Sequence, residues 1–197
     1  MLRKSIVLPM IITGIFFNGC NDSKKETKIV EKKSKIEQKK PLKTINPNEF
    51  KLTTTDNEKI VILKKDKGYI LKDNPNKIII FDIFATWCPP CRAEAKVLSN
   101  LENKYKKDVK IIGITIEEGI ENSKLKEFAK SSNATYLLVN SKENKRLIDD
   151  IVKKLNIGKR FPIPLMVMYK DGKILNYYLG ATEEEFIESD IKKALGK

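Results

Sequence analysis

The sequence predicts an α/β fold in which a central mixed sheet, parallel in part, is flanked by helices and preceded by a β-hairpin. Three observations predict it. The nearly continuous apolar run Ile78-Ile79-Ile80-Phe81-Asp82-Ile83-Phe84 has the composition of a strand covered on both faces. After it, stretches with helical spacing of apolar residues alternate with short strand-like runs, the order that builds parallel pairs joined by helices. Near the end of the chain, Asp171-Gly172 between two apolar runs marks an antiparallel hairpin.

The elements follow in order. Residues 50–54 and 59–63, separated by Asp56-Asn57, read as the N-terminal β-hairpin. The apolar segment 69–71 and the loop Asp73-Asn74-Pro75-Asn76 lead into strand 78–84. A helix follows Cys88 and runs to about residue 105, with Ala95, Leu98 and Leu101 on one face. Strand 109–116, helix 123–132 and strand 135–139 come next. Helix 146–155 carries Leu147, Ile148, Ile151, Val152 and Leu155 as its apolar face. Strands 165–169 and 174–178 flank Asp171-Gly172, with Met166 and Met168 at the period-two spacing of a core face. The last helix starts near Thr182, where Thr182 and Glu185 make a capping box, and runs to about residue 195.

A chain of 197 residues has room for one core of ordinary size plus appendages, and the folded domain is placed at residues 48–197. Ahead of it, Met1-Leu2-Arg3-Lys4 and an apolar stretch over residues 6–17 form a charged n-region and a short h-region. That stretch is too short for a permanent membrane span and reads as an export signal over residues 1–19. The ending Phe17-Asn18-Gly19-Cys20 resembles a bacterial lipobox, which makes Cys20 the lipidated residue after cleavage. Residues 20–47 are rich in Lys, Glu, Asn, Ser and Thr with few large apolar side chains, the composition of a charged tether.

Composition excludes much of the remaining chemistry. The 39 Lys and Arg against 26 Asp and Glu give a formal net charge of +13, but the lysines are spread along the whole chain. No basic run interleaved with aromatics accompanies them, so nucleic acid is not expected as a partner. The chain has no histidine, which removes Ser-His-Asp and Cys-His nucleophile pairs and histidine-ligated zinc. With three cysteines an all-cysteine zinc site within one chain is also excluded. Arg92 follows Cys91 where covalent haem attachment requires histidine. No metal or organic cofactor is expected.

What remains is Trp87-Cys88-Pro89-Pro90-Cys91, two cysteines in an exposed junction between a buried strand and a helix start. The free N–H groups and partial positive charge of a helix N-terminus stabilise a thiolate at Cys88. Cys91, one turn further on, is placed to attack a mixed disulfide formed at Cys88. Pro89 and Pro90 suit the first turn, where a missing N–H has no partner to lose. They also withhold two donors from the sulfur, which favours a reducing centre.

The segment Phe84-Ala85-Thr86-Trp87-Cys88-Pro89-Pro90-Cys91 resembles the active-site signature of the thioredoxin superfamily, specifically the membrane-tethered TlpA, ResA and CcmG branch. The resemblance implies a thioredoxin-like fold and spans residues 50–195, with 110–159 resembling the region of the branch's extra β-α insertion. Asp82, six positions before Cys88, matches the buried acid that helps move the proton of the second cysteine in thioredoxins, where many members of the branch carry another residue. Ile163-Pro164, with the proline eight residues before Gly172, resembles the family's cis-proline; Leu165 stands where threonine usually follows, and Pro162 competes for the cis bond. Gly180 matches a further family glycine. The resemblance implies a redox-active disulfide between Cys88 and Cys91 and a substrate surface including Trp87, Pro89, Pro90 and Ile163. Arg92 reads as a solvated helix residue.

The function implied is reduction of disulfides in exported proteins, with apocytochrome c as a substrate and a membrane electron donor of the DsbD or CcdA type as reductant. An oxidant or isomerase of secreted thiols, and a non-enzymatic lipoprotein binding a soft metal through two thiolates, are the alternatives.

Overall fold

The computed structural model describes residues 46–197. The export signal, the lipidation site Cys20 and the tether as far as residue 45 lie outside the described residues.

Strand β4 (Ile78–Phe84) is buried along its whole length. Its side chains alternate between two cores: Ile78, Ile80 and Phe84 enter one, and Ile79, Phe81 and Ile83 the other. On one side it pairs in parallel with β5 (Val109–Thr115), which pairs in parallel with β6 (Leu137–Val139). On the other side it pairs antiparallel with β7 (Leu165–Lys170), which continues into the edge strand β8 (Lys173–Leu179). The resulting five-stranded sheet has the order β6-β5-β4-β7-β8, the mixed sheet expected from the sequence.

Helices α1 (Pro89–Lys104), α2 (Asn122–Ser132) and α4 (Glu184–Leu195) contribute Leu98, Leu125, Phe128, Ile187 and Ile191 to the core on one face. Helix α3 (Asn144–Leu155) contributes Leu147, Ile148, Ile151 and Val152 to the other. Each fully buried aliphatic or aromatic side chain of this kind contributes about 1.5–3 kcal/mol.

The N-terminal hairpin, β1 (Glu49–Thr53) and β2 (Lys59–Lys65), is present with the expected pairing. It does not stop at two strands: β3 (Gly68–Leu71) joins it in a separate three-stranded sheet, which packs Phe50, Leu52, Ile62 and Tyr69 with α3. The turn that brings β3 back needs a positive φ at Asp66, and Gly68 then passes so close to Gly172 that a Cβ would stand 2.6 Å from the Gly172 carbonyl oxygen. Two glycines thus let the small sheet meet the β7–β8 turn.

The expected capping box of α4 is absent. The helix begins at Glu184 with Glu183 as N-cap and no side-chain cap bond. Thr182 is committed elsewhere: its N–H donates to Glu94 Oε1 and its hydroxyl to the Gly180 carbonyl.

Candidate active site

The site lies where β4 ends. The chain turns through Ala85, Thr86 and Trp87, with the Cys88 N–H donating to the Ala85 carbonyl at 3.2 Å. Cys88 is the N-cap of α1, extended at φ −86° and ψ 111°, and Pro89 and Pro90 occupy the first helical positions. The first available helix N–H is therefore that of Cys91, and it donates to Cys88 Sγ at 3.3 Å. Cys88 and Cys91 form a disulfide, with Cα atoms 5.3 Å apart. The helix N-terminus thus directs one amide, rather than several, at the sulfur where a thiolate would form.

The expectation that both cysteines are exposed is corrected: each is 2% exposed. The reason is the loop before β7, whose Ile163 carbonyl oxygen lies 3.8 Å from Cys88 Sγ. The Ile163–Pro164 bond is cis, and Pro162 is not cis. The Gly180 N–H donates to the Pro164 carbonyl at 2.8 Å, tying the end of β8 to this loop. Trp87, by contrast, is 65% exposed beside the buried sulfurs. Met166 and Met168 are core residues, as their spacing indicated. Arg92 is not merely solvated: its guanidinium donates to Ser131 Oγ and lies over the Phe128 ring, linking α1 to α2.

Asp82 is buried on β4, and the Tyr136 hydroxyl donates to its Oδ2 at 2.7 Å. Its Oδ1 has no partner. Burial pushes the Asp82 carboxyl up to about 7, and the Tyr136 hydrogen bond acts in the opposite sense. A second buried acid, Glu94, went unnoticed in the sequence. It stands one helical turn after Cys91, on the buried face of α1 with Cys91, Ala95 and Leu98. Glu94 Oε1 accepts the Thr182 N–H at 3.0 Å, and Oε2 has no partner. Burial, reinforced by the charge of Asp82, pushes Glu94 up to about 8. The signal that could have found it is a carboxylate at i+3 from a buried cysteine, inside the apolar stripe.

Glu117 was also missed. Its carboxylate accepts the Thr86 N–H at 2.6 Å and the Thr86 hydroxyl at 3.0 Å, fastening the turn before Cys88 to the end of β5. Nothing local in the sequence announces this contact across 31 positions. Beside the site opens a cleft of about 1090 Å³, bordered by Trp87 and Ile163 at the sulfurs and by Glu117, Asn140, Lys145 and Phe161 beyond. The arrangement joins a dithiol that closes to a disulfide, one amide donor at its outer sulfur, and two buried acids with free oxygens.

The chain resembles known proteins in sequence and in fold. A thiol-disulfide oxidoreductase ResA of Bacillus cereus is 27% identical over 150 residues, covering 70% of this chain and 81% of that protein. Thioredoxin C-2 of Corynebacterium nephridii is 26% identical over 117 residues, covering 57% of this chain and 79% of that protein. Among solved structures, a thiol:disulfide interchange protein of the thioredoxin family from Chlorobium tepidum TLS superposes with a TM-score of 0.60 at 20% identity, covering 76% of this chain and 94% of that one. StoA from Bacillus subtilis does so at 0.52 and 18% identity, covering 74% and 97%. These likenesses establish a thioredoxin-like fold, and with the Redoxin family matching residues 40–195, the chain belongs to that family as a thiol-disulfide oxidoreductase.

Proposed function

We propose that this protein is a lipid-anchored reductase acting outside the cytoplasm on disulfides of exported proteins, with the Cys-x-x-Cys of an apocytochrome c as the substrate it serves. One observation carries the reading: the Cys88–Cys91 disulfide sits at a helix N-terminus with a single amide on the outer sulfur and buried acids behind it. The names of the ResA and thiol:disulfide interchange relatives support the chemistry. The export signal over residues 1–19, Cys20 as the lipidated residue and the tether over 20–47 support the location, leaving 48–197 as the catalytic domain.

In the reduced protein the Cys88 thiolate attacks one sulfur of the substrate disulfide; the other sulfur leaves as a thiolate and takes a proton. Cys91 then gives its proton to Asp82, and its thiolate attacks Cys88 Sγ. The second substrate sulfur departs with a proton, and two electrons have moved from the Cys88–Cys91 dithiol to the substrate. Trp87, Pro89, Pro90 and Ile163 form the surface on which an extended polypeptide lies, and the cis bond at Pro164 turns the Ile163 backbone edge toward it. A membrane electron donor of the DsbD or CcdA type restores the dithiol.

The reduction potential decides the direction of flow. A value near that of thioredoxin, about −270 mV, supports a reductase, and one near about −120 mV would overturn it in favour of an oxidant. The Cys91→Ala variant is expected to hold substrates as mixed disulfides at Cys88, and sequencing the captured proteins identifies them.

A further inference from the structure

Asp82 on β4 lies in register with Gly113 on β5. A Cβ at position 113 would stand 2.6 Å from Leu138 Cδ2, 3.0 Å from Tyr136 Cε2 and 3.2 Å from Phe84 Cε1. The missing side chain is therefore a notch in the sheet face, occupied in part by the Tyr136 ring. Tyr136 approaches from the residue just before β6, so its ring crosses β5 to place the hydroxyl 2.7 Å from Asp82 Oδ2 on β4. Tyr136 is buried in the same core cluster as Cys88 and Cys91.

We propose that Tyr136 is a positioning residue for the buried acid: seated in the Gly113 notch, its hydroxyl engages Oδ2 of Asp82 and leaves Oδ1 as the oxygen that exchanges a proton with the dithiol. This rests on the reading of Asp82 as the proton acceptor for Cys91. In that step the Cys91 S–H bond breaks and an O–H bond forms at Oδ1, giving a thiolate and a neutral acid; Tyr136 keeps its own proton throughout. Burial and the neighbouring acids raise its phenol well above the ordinary range, so it acts as a donor only.

The groups around Asp82 set the sign. Glu94 on α1 adds negative charge, and Glu102, also on α1, adds to the field at Tyr136. On the β7 side the register partner is Met166, which carries no charge. Tyr136 is the group that donates a hydrogen bond to this acid, and donation favours the carboxylate. Without it the acid would hold its proton to higher pH and could not accept another.

The test uses the full chain and the carbon-13 signal of the Asp82 carboxyl, read in the oxidised protein so that neither cysteine titrates. Tyr136→Phe is expected to move the Asp82 midpoint up by about one pH unit. In the reduced protein the same variant is expected to slow resolution of a mixed disulfide about fivefold at pH 7 and to approach the wild-type rate above pH 9. A fluorinated tyrosine in place of Tyr136, a stronger donor of the same shape, is expected to move the midpoint down. In an Asp82→Asn background, Tyr136→Phe is expected to leave the rate profile unchanged. A Tyr136→Phe profile superimposed on the wild type, with Asp82→Asn still losing the rising limb of the pH–rate profile near pH 7, would overturn the inference and leave the relay standing. A shift that persists with Asp82→Asn would overturn it too, and an unaltered limb in Asp82→Asn alone would remove the relay and this inference together.

Discussion

Asp82 and Glu94 are carboxyl groups buried in a core without a cationic partner, and both hold their protons well above the usual carboxylate range. That has a consequence for stability. In the unfolded chain Asp82 ionises near its ordinary value, whereas in the folded chain it does so at about 7. Between those limits the native state binds more protons than the unfolded state, so stability falls as pH rises from about 4 to 7 and levels off above. The full contribution of Asp82 is at most on the order of 4 kcal/mol. Asp82→Asn removes this slope, so thermal melts of variant and wild type are expected to agree best near pH 4 and to diverge toward pH 7, with the variant the more stable. Equal differences at all pH values would contradict a protonated Asp82. Glu94→Gln is expected to behave in the same sense, its divergence extending to about pH 8. The two acids also differ in how visible they are in sequence. Asp82 interrupts an apolar run and announces itself, whereas Glu94 hides among the many charged residues of an amphipathic helix.

At the level of elements, β4 was legible to the residue because burial on both faces forces an unbroken apolar run. Helix boundaries were legible to within a residue or two, since periodicity marks the buried stripe better than the ends. The α4 start differs from the sequence pattern because the capping-box signal around Thr182 is local, while the contact that uses its N–H comes from Glu94, 88 positions away. Strand β3 reads in the sequence as an apolar segment without a partner, because its pairing with β2 turns on a tight reversal after Lys65 with a positive φ at Asp66, a non-glycine residue. Gly68→Ala is expected to cost about 1–3 kcal/mol in denaturant unfolding, because a methyl group there meets backbone rather than a movable side chain. Thiol-disulfide exchange at moderate temperature should be unaffected, as the contact lies away from Cys88. An unfolding midpoint equal to the wild type would show that the two sheets can separate at no cost.

For the whole molecule, no helix among the described residues is long and apolar enough to cross a membrane. Attachment under the proposed reading rests on Cys20 and its lipid. Cys20→Ser is expected to move the protein from the membrane to the soluble fraction while leaving turnover of a soluble disulfide substrate unchanged. Retention in the membrane fraction would remove the lipid anchor from the proposal.

The sequence by itself determined the fold class, the redox pair and the acid at position 82, because each is written in contiguous or short-range patterns: an apolar run, a Cys-x-x-Cys at a helix start, a charge where none should be. It also excluded histidine chemistry outright. Only the tertiary structure decided that Cys88 and Cys91 are covered by the Ile163 loop, that Glu94 accepts the Thr182 N–H, that Glu117 fastens their turn, and that Tyr136 reaches Asp82 across Gly113. Those contacts join residues from 31 to 88 positions apart, and they exist only once packing brings separate elements to the same end of the sheet. Local patterning selects elements, but which polar group meets which is settled by the geometry of the assembled core.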